Sequence, residues 1–472
     1  MPKPKDVLDR EDEWTTLESI WTSDRAELVL MLGRRRVGKS YLLARFARRV
    51  AGIYYQATNR TGDEQLARLS RIVGASLGDD ALAQGATLPD WEALLEYMTR
   101  RAEGGRFLLA IDEFPYVADA EPALPSILQT FWDHRWKGTP FKVILCGSLV
   151  TAMRRLEEQD QPLYGRRTSR IVVAPFPYFR AGYFVPGYSP RDQLRAYGIF
   201  GGLPGHLDLL DADLQLAENV AHTLLTPSGR LSDEAQHMLD MFVEDAEVHY
   251  SIIDAIANGE RTWRGITSRV GRTGGSLHRP LEWLQAMGLV ERAVPITERQ
   301  PQKSKKSLYR ITDPYVSFWH RFVSPLVSSG SLGLVDGATL WRDHVEPGLD
   351  DHMGGVFEQI CRDFVRYSQR LPFAPVRVGQ WWSADSTAEL DVVALGGRGE
   401  LLAGECKWGS ITYRDVASLR DRAGLLTSRL SGIHRVHLVL FSGEGRIDPE
   451  IRKAVGAGEV QCFGPDELLE PS

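Results

Sequence analysis

Apolar residues recur along this chain in two modes: short continuous runs, and runs spaced every three to four positions. Residues 27–32, 53–57, 106–111, 141–146 and 171–174 are continuous runs of strand length. Between them, residues 41–50, 65–77 and 91–102 carry helical spacing, and a helix through Leu17 and Ile20 precedes the first strand. Strand and helix in alternation imply a largely parallel sheet. Farther on the rhythm changes. Residues 250–257, 264–271 and 276–287 read as three short helices, and 288–292 with 307–311 as a hairpin, which is the outline of a winged helix-turn-helix. An aromatic segment opening at Asp313 suits a core-facing helix. The final stretch gives a helix from Gly354, strands at 390–395 and 400–408 about a tight glycine turn, a helix at 414–426 and a strand at 435–441. The expected fold class is therefore α/β.

Composition narrows this only a little. Apolar residues make up 43% and charged residues 25% of 472 positions, the balance of a soluble globular protein with more than one domain. Neither a secretory leader nor a membrane span is legible, so a cytoplasmic protein is expected, with no membrane partner. The four cysteines are scattered without a C-x-x-C pair and read as small buried residues. A net charge of −6 excludes a surface that is basic throughout. Any nucleic-acid contact must be local, and residues 261–310 supply one. They hold 11 Lys and Arg against three Glu and no Asp, a local excess of eight positive charges. Arg272 and Arg279, beside and on the third helix, and Lys303, Lys305 and Lys306 at the hairpin tip are the candidate DNA-phosphate contacts. A solvated tip, or a winged helix that touches protein, is the competing reading.

The chemistry concentrates after the first strand. Gly33-Arg34-Arg35-Arg36-Val37-Gly38-Lys39-Ser40 fits G-x-x-x-x-G-K-[ST] between a strand and a helix, so its backbone N–H groups are expected to cradle the phosphates of ATP. Lys39 would neutralise the terminal phosphates and Ser40 would hold Mg²⁺. About 70 residues on, an apolar strand ends in Asp112 and Glu113. Asp112 suits the metal through water, and Glu113 suits activation of the attacking water. Ser148, after the next strand, is a candidate γ-phosphate sensor or a plain turn serine. Arg166 or its neighbour Arg167 is a candidate γ-phosphate contact, with surface solvation as the alternative.

These motifs together resemble a known family. The phosphate loop, Ile111-Asp112-Glu113-Phe114-Pro115-Tyr116, Cys146-Gly147-Ser148, Pro162-Leu163-Tyr164-Gly165-Arg166 and Gly201-Gly202-Leu203-Pro204 resemble the archaeal-type ATPases of the AAA+/STAND group. The resemblance implies an ATP-binding core and a small helical lid, and it admits a homo-oligomer. The last domain carries a second constellation. Asp391 on one strand, Glu405 and Lys407 on the returning strand, and Glu358 on the preceding helix resemble the PD-(D/E)XK nucleases. Alternation puts Glu405 and Lys407 on one face, and the hairpin brings Asp391 near. The resemblance implies that Glu358, Asp391 and Glu405 ligate Mg²⁺ while Asp391, Glu405 and Lys407 cleave a phosphodiester. A surface ion-pair cluster is the alternative. The expected layout is an ATPase core at 1–185, a lid at 186–235, a winged helix at 236–325, a linker at 326–345 and a restriction-endonuclease-like domain at 346–472. The expected function is ATP hydrolysis coupled to DNA through the winged helix and a Mg²⁺-dependent nuclease-like domain. The alternative is a nucleotide-gated regulatory or defence switch whose last domain is inactive and binds DNA or protein.

Overall fold

A computed structural model describes residues 2–102, 105–148, 150–240, 246–272, 274–383, 385, 387–445 and 447–471. The chain forms two compact units, Met1–Pro175 and Phe176–Ser472.

In the first unit the continuous apolar runs become five strands: β1 (Glu27–Leu32), β2 (Ile53–Gln56), β3 (Phe107–Asp112), β4 (Phe141–Gly147) and β5 (Ser169–Val172). They lie in the order β2-β3-β4-β1-β5, and every pairing is parallel. Helices cover both faces of such a sheet, which is why β1 and β3 are buried at every position after the first and β4 throughout. Even Lys142 of β4 is buried, and its ammonium is satisfied by the carbonyls of Ser23 and Arg25 just ahead of β1. Register aligns the carboxyl ends: Leu32 pairs with Gly147, Gln56 with Asp112 and Ile111 with Leu145. The segments leaving β1, β3 and β4 therefore emerge along one edge, where open α/β sheets place ligands. Helices Phe114–Ala120 and Leu124–Phe131 follow β3, a pair the apolar spacing did not announce; each opens with a proline in its first turn.

The second unit opens with the short helices Tyr178–Ala181 and Gly182–Phe184, followed by Pro190–Phe200, Pro204–Leu207 and Leu216–Thr223 in the segment read from sequence as the lid. Helices Ala246–Ala257, Trp263–Val270 and Gly274–Ala286 follow, then the antiparallel pair β6 (Val290–Ala293) and β7 (Leu308–Ile311). The stretch read as a linker holds short helices Ser324–Ser328 and Gly337–Leu340. The long helix Glu346–Tyr367 then leads into β8 (Pro375–Trp382), β9 (Glu389–Gly396), β10 (Glu400–Lys407), β11 (Arg435–Ser442) and β12 (Gln461–Phe463). This sheet runs β12-β11-β10-β9-β8, antiparallel from β8 to β10 and parallel from β10 to β12. Gly399 turns β9 into β10 with φ at 71°, and a Cβ there would stand 2.3 Å from the Gly432 carbonyl oxygen, so only glycine fits. The helix Tyr413–Thr427 makes the crossover that the parallel β10–β11 pair requires, burying Val416, Leu419 and Leu426 against the sheet. No helix among the described residues is long and apolar enough to cross a membrane.

Candidate functional site

The phosphate loop is built by what its residues lack as much as by what they carry. A Cβ on Gly33 would stand 2.5 Å from the Val173 carbonyl oxygen, so the chain leaves β1 only through glycine. Arg36 and Gly38 are left-handed, with φ at 62° and 91°, a backbone alternation that gathers consecutive N–H groups into an anion-binding concavity. Gly38 then caps the helix Lys39–Arg49, whose N-terminus adds its partial positive charge. Lys39 Nζ donates to the carbonyls of Gly33 and Arg34, both at 2.9 Å, so the ammonium is held inside the loop. Burial pushes its pKa down, and the facing carboxylates Glu113 and Asp112 pull the other way.

Asp112 ends β3 fully buried. Its Oδ2 accepts the Tyr54 hydroxyl at 2.8 Å and its Oδ1 accepts the Glu113 N–H at 3.0 Å. Glu113 is left-handed, with φ at 51°, which turns its side chain toward the end of β4. There Glu113 Oε2 accepts the Ser148 hydroxyl at 2.8 Å. Thus Gly33 to Ser40, Asp112, Glu113 and Ser148 come together on one sheet edge. The arginines go elsewhere. Arg166 donates to Asp133 Oδ2 through Nη2 at 2.7 Å and through Nε at 3.1 Å, and Arg167 pairs with Glu157.

The second constellation is assembled less completely. Beyond the last paired residues, Val392 and Gly404, the β9–β10 register sets Asp391 opposite Glu405, and Asp391 Oδ2 accepts the Cys406 N–H at 2.8 Å. Burial, reinforced by the carboxylates of Glu358 and Glu405, pushes the Asp391 pKa up to about 8. Burial also raises that of Glu405, against the pull of Arg422. Among the described residues no three His, Cys, Asp or Glu side chains gather closely enough to hold one ion. Each of the charged residues in this constellation other than Asp391 has a partner of opposite charge nearby. Glu405 meets Arg422 Nη2 at 2.8 Å, Lys407 is ion-paired with Asp415, and Glu358 lies 3.5 Å from Arg362 and 3.6 Å from Arg310. Among the nucleic-acid candidates, Arg272, Arg279, Lys303, Lys305 and Lys306 are all exposed; Lys306 pairs with Glu298 at 3.0 Å, and Arg292 braces the tip through the carbonyls of Pro301 and Ser304.

Comparison with known proteins fits the first site. Residues 7–210 match a family model described as an ATPase domain predominantly from Archaea. That stretch is similar to archaeal ATPase domains. Residues 319–419 match a second model, of archaeal and bacterial proteins of unknown function. An uncharacterized protein of Methanocaldococcus jannaschii is 27% identical over 425 residues, 87% of this chain and 90% of that protein. A Walker-type ATPase of Pyrococcus abyssi has a similar fold, with a TM-score of 0.52 at 21% identity over 68% of this chain and 97% of that one.

Two residues of the first unit escaped the motif reading. Tyr54 holds Asp112 from the neighbouring strand. Arg10, itself left-handed with φ at 74°, donates to the Val37 carbonyl at 3.1 Å and pairs with Glu13, so the segment before the first helix braces the phosphate loop. Tyr54 could have been found by aligning β2 with β3. Nothing in the acidic helix start singles out Arg10.

Proposed function

We propose that the protein is a Mg²⁺-dependent ATPase whose nucleotide state governs a DNA-contacting winged-helix module. The observation that carries the enzymatic half is the convergence of the phosphate loop, Asp112 and Glu113 on one edge of a parallel sheet. In this reading the loop N–H groups and Lys39 bind the triphosphate, with Lys39 exchanging the Gly33 and Arg34 carbonyls for phosphate oxygens. Ser40 and Asp112 would hold Mg²⁺, which supplies charge neutralisation at the phosphates. Glu113 takes the proton of the attacking water. Since Ser148 holds Glu113, hydrolysis waits on the release of that hydrogen bond, which makes Ser148 a positioning residue. Arg166 contributes at the γ-phosphate by leaving Asp133.

The helices Ala246–Ala257, Trp263–Val270 and Gly274–Ala286 with β6 and β7 form the winged helix. The basic excess around it, with Arg272 and Arg279 exposed at the third helix and the lysines on the wing, supports DNA phosphate contact. For the last α/β module the ion pairs of Glu405 with Arg422 and Lys407 with Asp415 favour binding over cleavage. The deciding experiment is ATP turnover with and without double-stranded, single-stranded and branched DNA. Lys39→Ala should lose nucleotide binding. Glu113→Gln should keep it and turn over about 10²–10⁴-fold more slowly. Stimulation by one DNA form supports the coupling, and turnover indifferent to every DNA sinks it. Metal-dependent nicking lost on Glu405→Ala would restore the nuclease reading.

A further inference from the structure

A cavity of about 330 Å³ lies inside the second unit, between β7 with the turn after Ala257 and the long helix Glu346–Tyr367. Four arginines line it: Arg261, Arg310, Arg321 and Arg362. Three carboxylates share the walls, but two of them are exposed and screened by water. Glu291 is the cross-strand neighbour of Arg310, and Asp351 is taken by Arg321. The interior is left with Arg310 and Arg362, whose side chains are 11% and 7% exposed, against Glu358 as the one carboxylate, Arg362 Nη1 donating also to the Asp391 carbonyl at 3.2 Å.

That balance leaves donors over. None of the three Arg310 guanidinium nitrogens has a hydrogen-bond partner, and all three are closed off from solvent. The nearest carboxylate oxygen, Glu358 Oε2, is 3.6 Å away and is shared with Arg362 Nη1 at 3.5 Å. One oxygen thus serves two guanidiniums, both beyond the ordinary span of a charge-assisted hydrogen bond, about 2.7–2.9 Å. A buried cation without hydrogen bonds is an expensive thing to keep, and such groups ask for an explanation. Burial and the neighbouring Arg362 and Arg261 press the Arg310 pKa down, so a second anion would be welcome there. The opposite wall has been cleared for one. The long helix carries Gly354 and Gly355 in its interior, where glycine weakens a helix, and Gly355 lines the cavity beside Arg261, whose Nη2 is 3.8 Å from where a Cβ would stand.

We propose that this cavity binds a small phosphate-bearing ligand of nucleotide size, its phosphate seated among Arg261, Arg310 and Arg362 in place of the Glu358 carboxylate. A phosphate suits the site better than a carboxylate because its tetrahedral oxygens answer guanidiniums arriving from two walls at once. The volume falls within the range of small-molecule pockets, and the walls come from the hairpin and the long helix, so occupancy would tie the two together.

The test uses the full chain carrying Lys39→Ala, which silences the phosphate loop, with calorimetric titration of pyrophosphate, inorganic phosphate and ADP at low chloride. One site per chain is expected. Adding Arg261→Ala, an exposed residue whose loss leaves the core alone, should weaken binding about tenfold, the effect of one charge-assisted contact. Adding Glu358→Gln should tighten it, because the competing carboxylate is gone. A merely structural role for these residues predicts no tightening. Absence of binding by all three probes, or binding indifferent to both substitutions, overturns the proposal. Arg261-dependent binding of a 5′-phosphorylated oligonucleotide alone overturns it in favour of a strand end. Failure of the ATPase reading would show separately, as no turnover by the unsubstituted chain.

Discussion

Tyr54 is the residue that makes a buried aspartate tolerable. Asp112 accepts its hydroxyl and a backbone N–H, with the Cys146 thiol also beside it, so Tyr54→Phe removes one donor from a carboxylate that water does not reach. The expected loss is about 1–3 kcal/mol of stability in urea unfolding, with weaker metal-dependent nucleotide binding as the functional sign. Ser148→Ala belongs to the same scale. Glu113 loses its side-chain tether, and kcat should change while nucleotide affinity stays within about twofold, because Ser148 acts through Glu113. The placement of Asp112, Glu113 and Ser148 was legible because each lies at or just past the end of an apolar strand after the phosphate loop. Tyr54 and Arg10 were not, because their partners are chosen by strand register and by the entry of the N-terminal segment, and neither leaves a trace in local spacing.

At the scale of elements, close approach decides what can change. Gly33→Ala drives a methyl into the Val173 carbonyl beyond β5, and β1 cannot move away because β4 holds its other side. The expected result is loss of ATP binding in equilibrium titration with an unchanged far-ultraviolet circular dichroism spectrum. The hairpin β9–β10 shows where sequence pattern stops short. Alternation placed Glu405 and Lys407 on one face, yet their partners Arg422 and Asp415 come from the crossover helix Tyr413–Thr427. Which side chains a packed helix offers to a sheet is a tertiary fact. The same holds for Glu358, whose neighbour Arg362 is one helical turn away but whose neighbour Arg310 arrives from β7.

For the whole molecule, the second unit is held between opposing titrations. Burial pushes the pKa values of His320 and His352 down to about 4 from 6.5, so both stay neutral when folded. The unfolded chain binds their protons first, and this contribution is complete above pH 6.5 and lost as pH falls toward 4. Asp391 works in reverse. Its folded pKa of about 8 lies above the unfolded 3.8, so the folded state holds the extra proton and stability falls as pH rises from about 4 to 8. Where their windows overlap, between about pH 4 and 6.5, the two histidines outweigh the one aspartate, so the balance of these three groups favours neutral over acid pH there. Urea midpoints across pH 5 to 8 should show these opposing slopes, and Asp391→Asn should flatten the alkaline limb while steepening the acid one, where the aspartate had offset one of the two histidines.

The strand order of the first unit carries a consequence for biosynthesis. β1 sits between β4 and β5, with β4 more than a hundred residues downstream in the chain. As the protein leaves the ribosome, the strand that bears the phosphate loop therefore waits, unpaired and apolar, until nearly the whole first unit has been made. Pairing across so long a loop is intrinsically slow. Nascent chains stalled before Phe141 should fail to retain on immobilised ATP, and those extended past Pro175 with room to clear the exit tunnel should bind. During that interval the exposed β1 is the segment that a chaperone would have to shield.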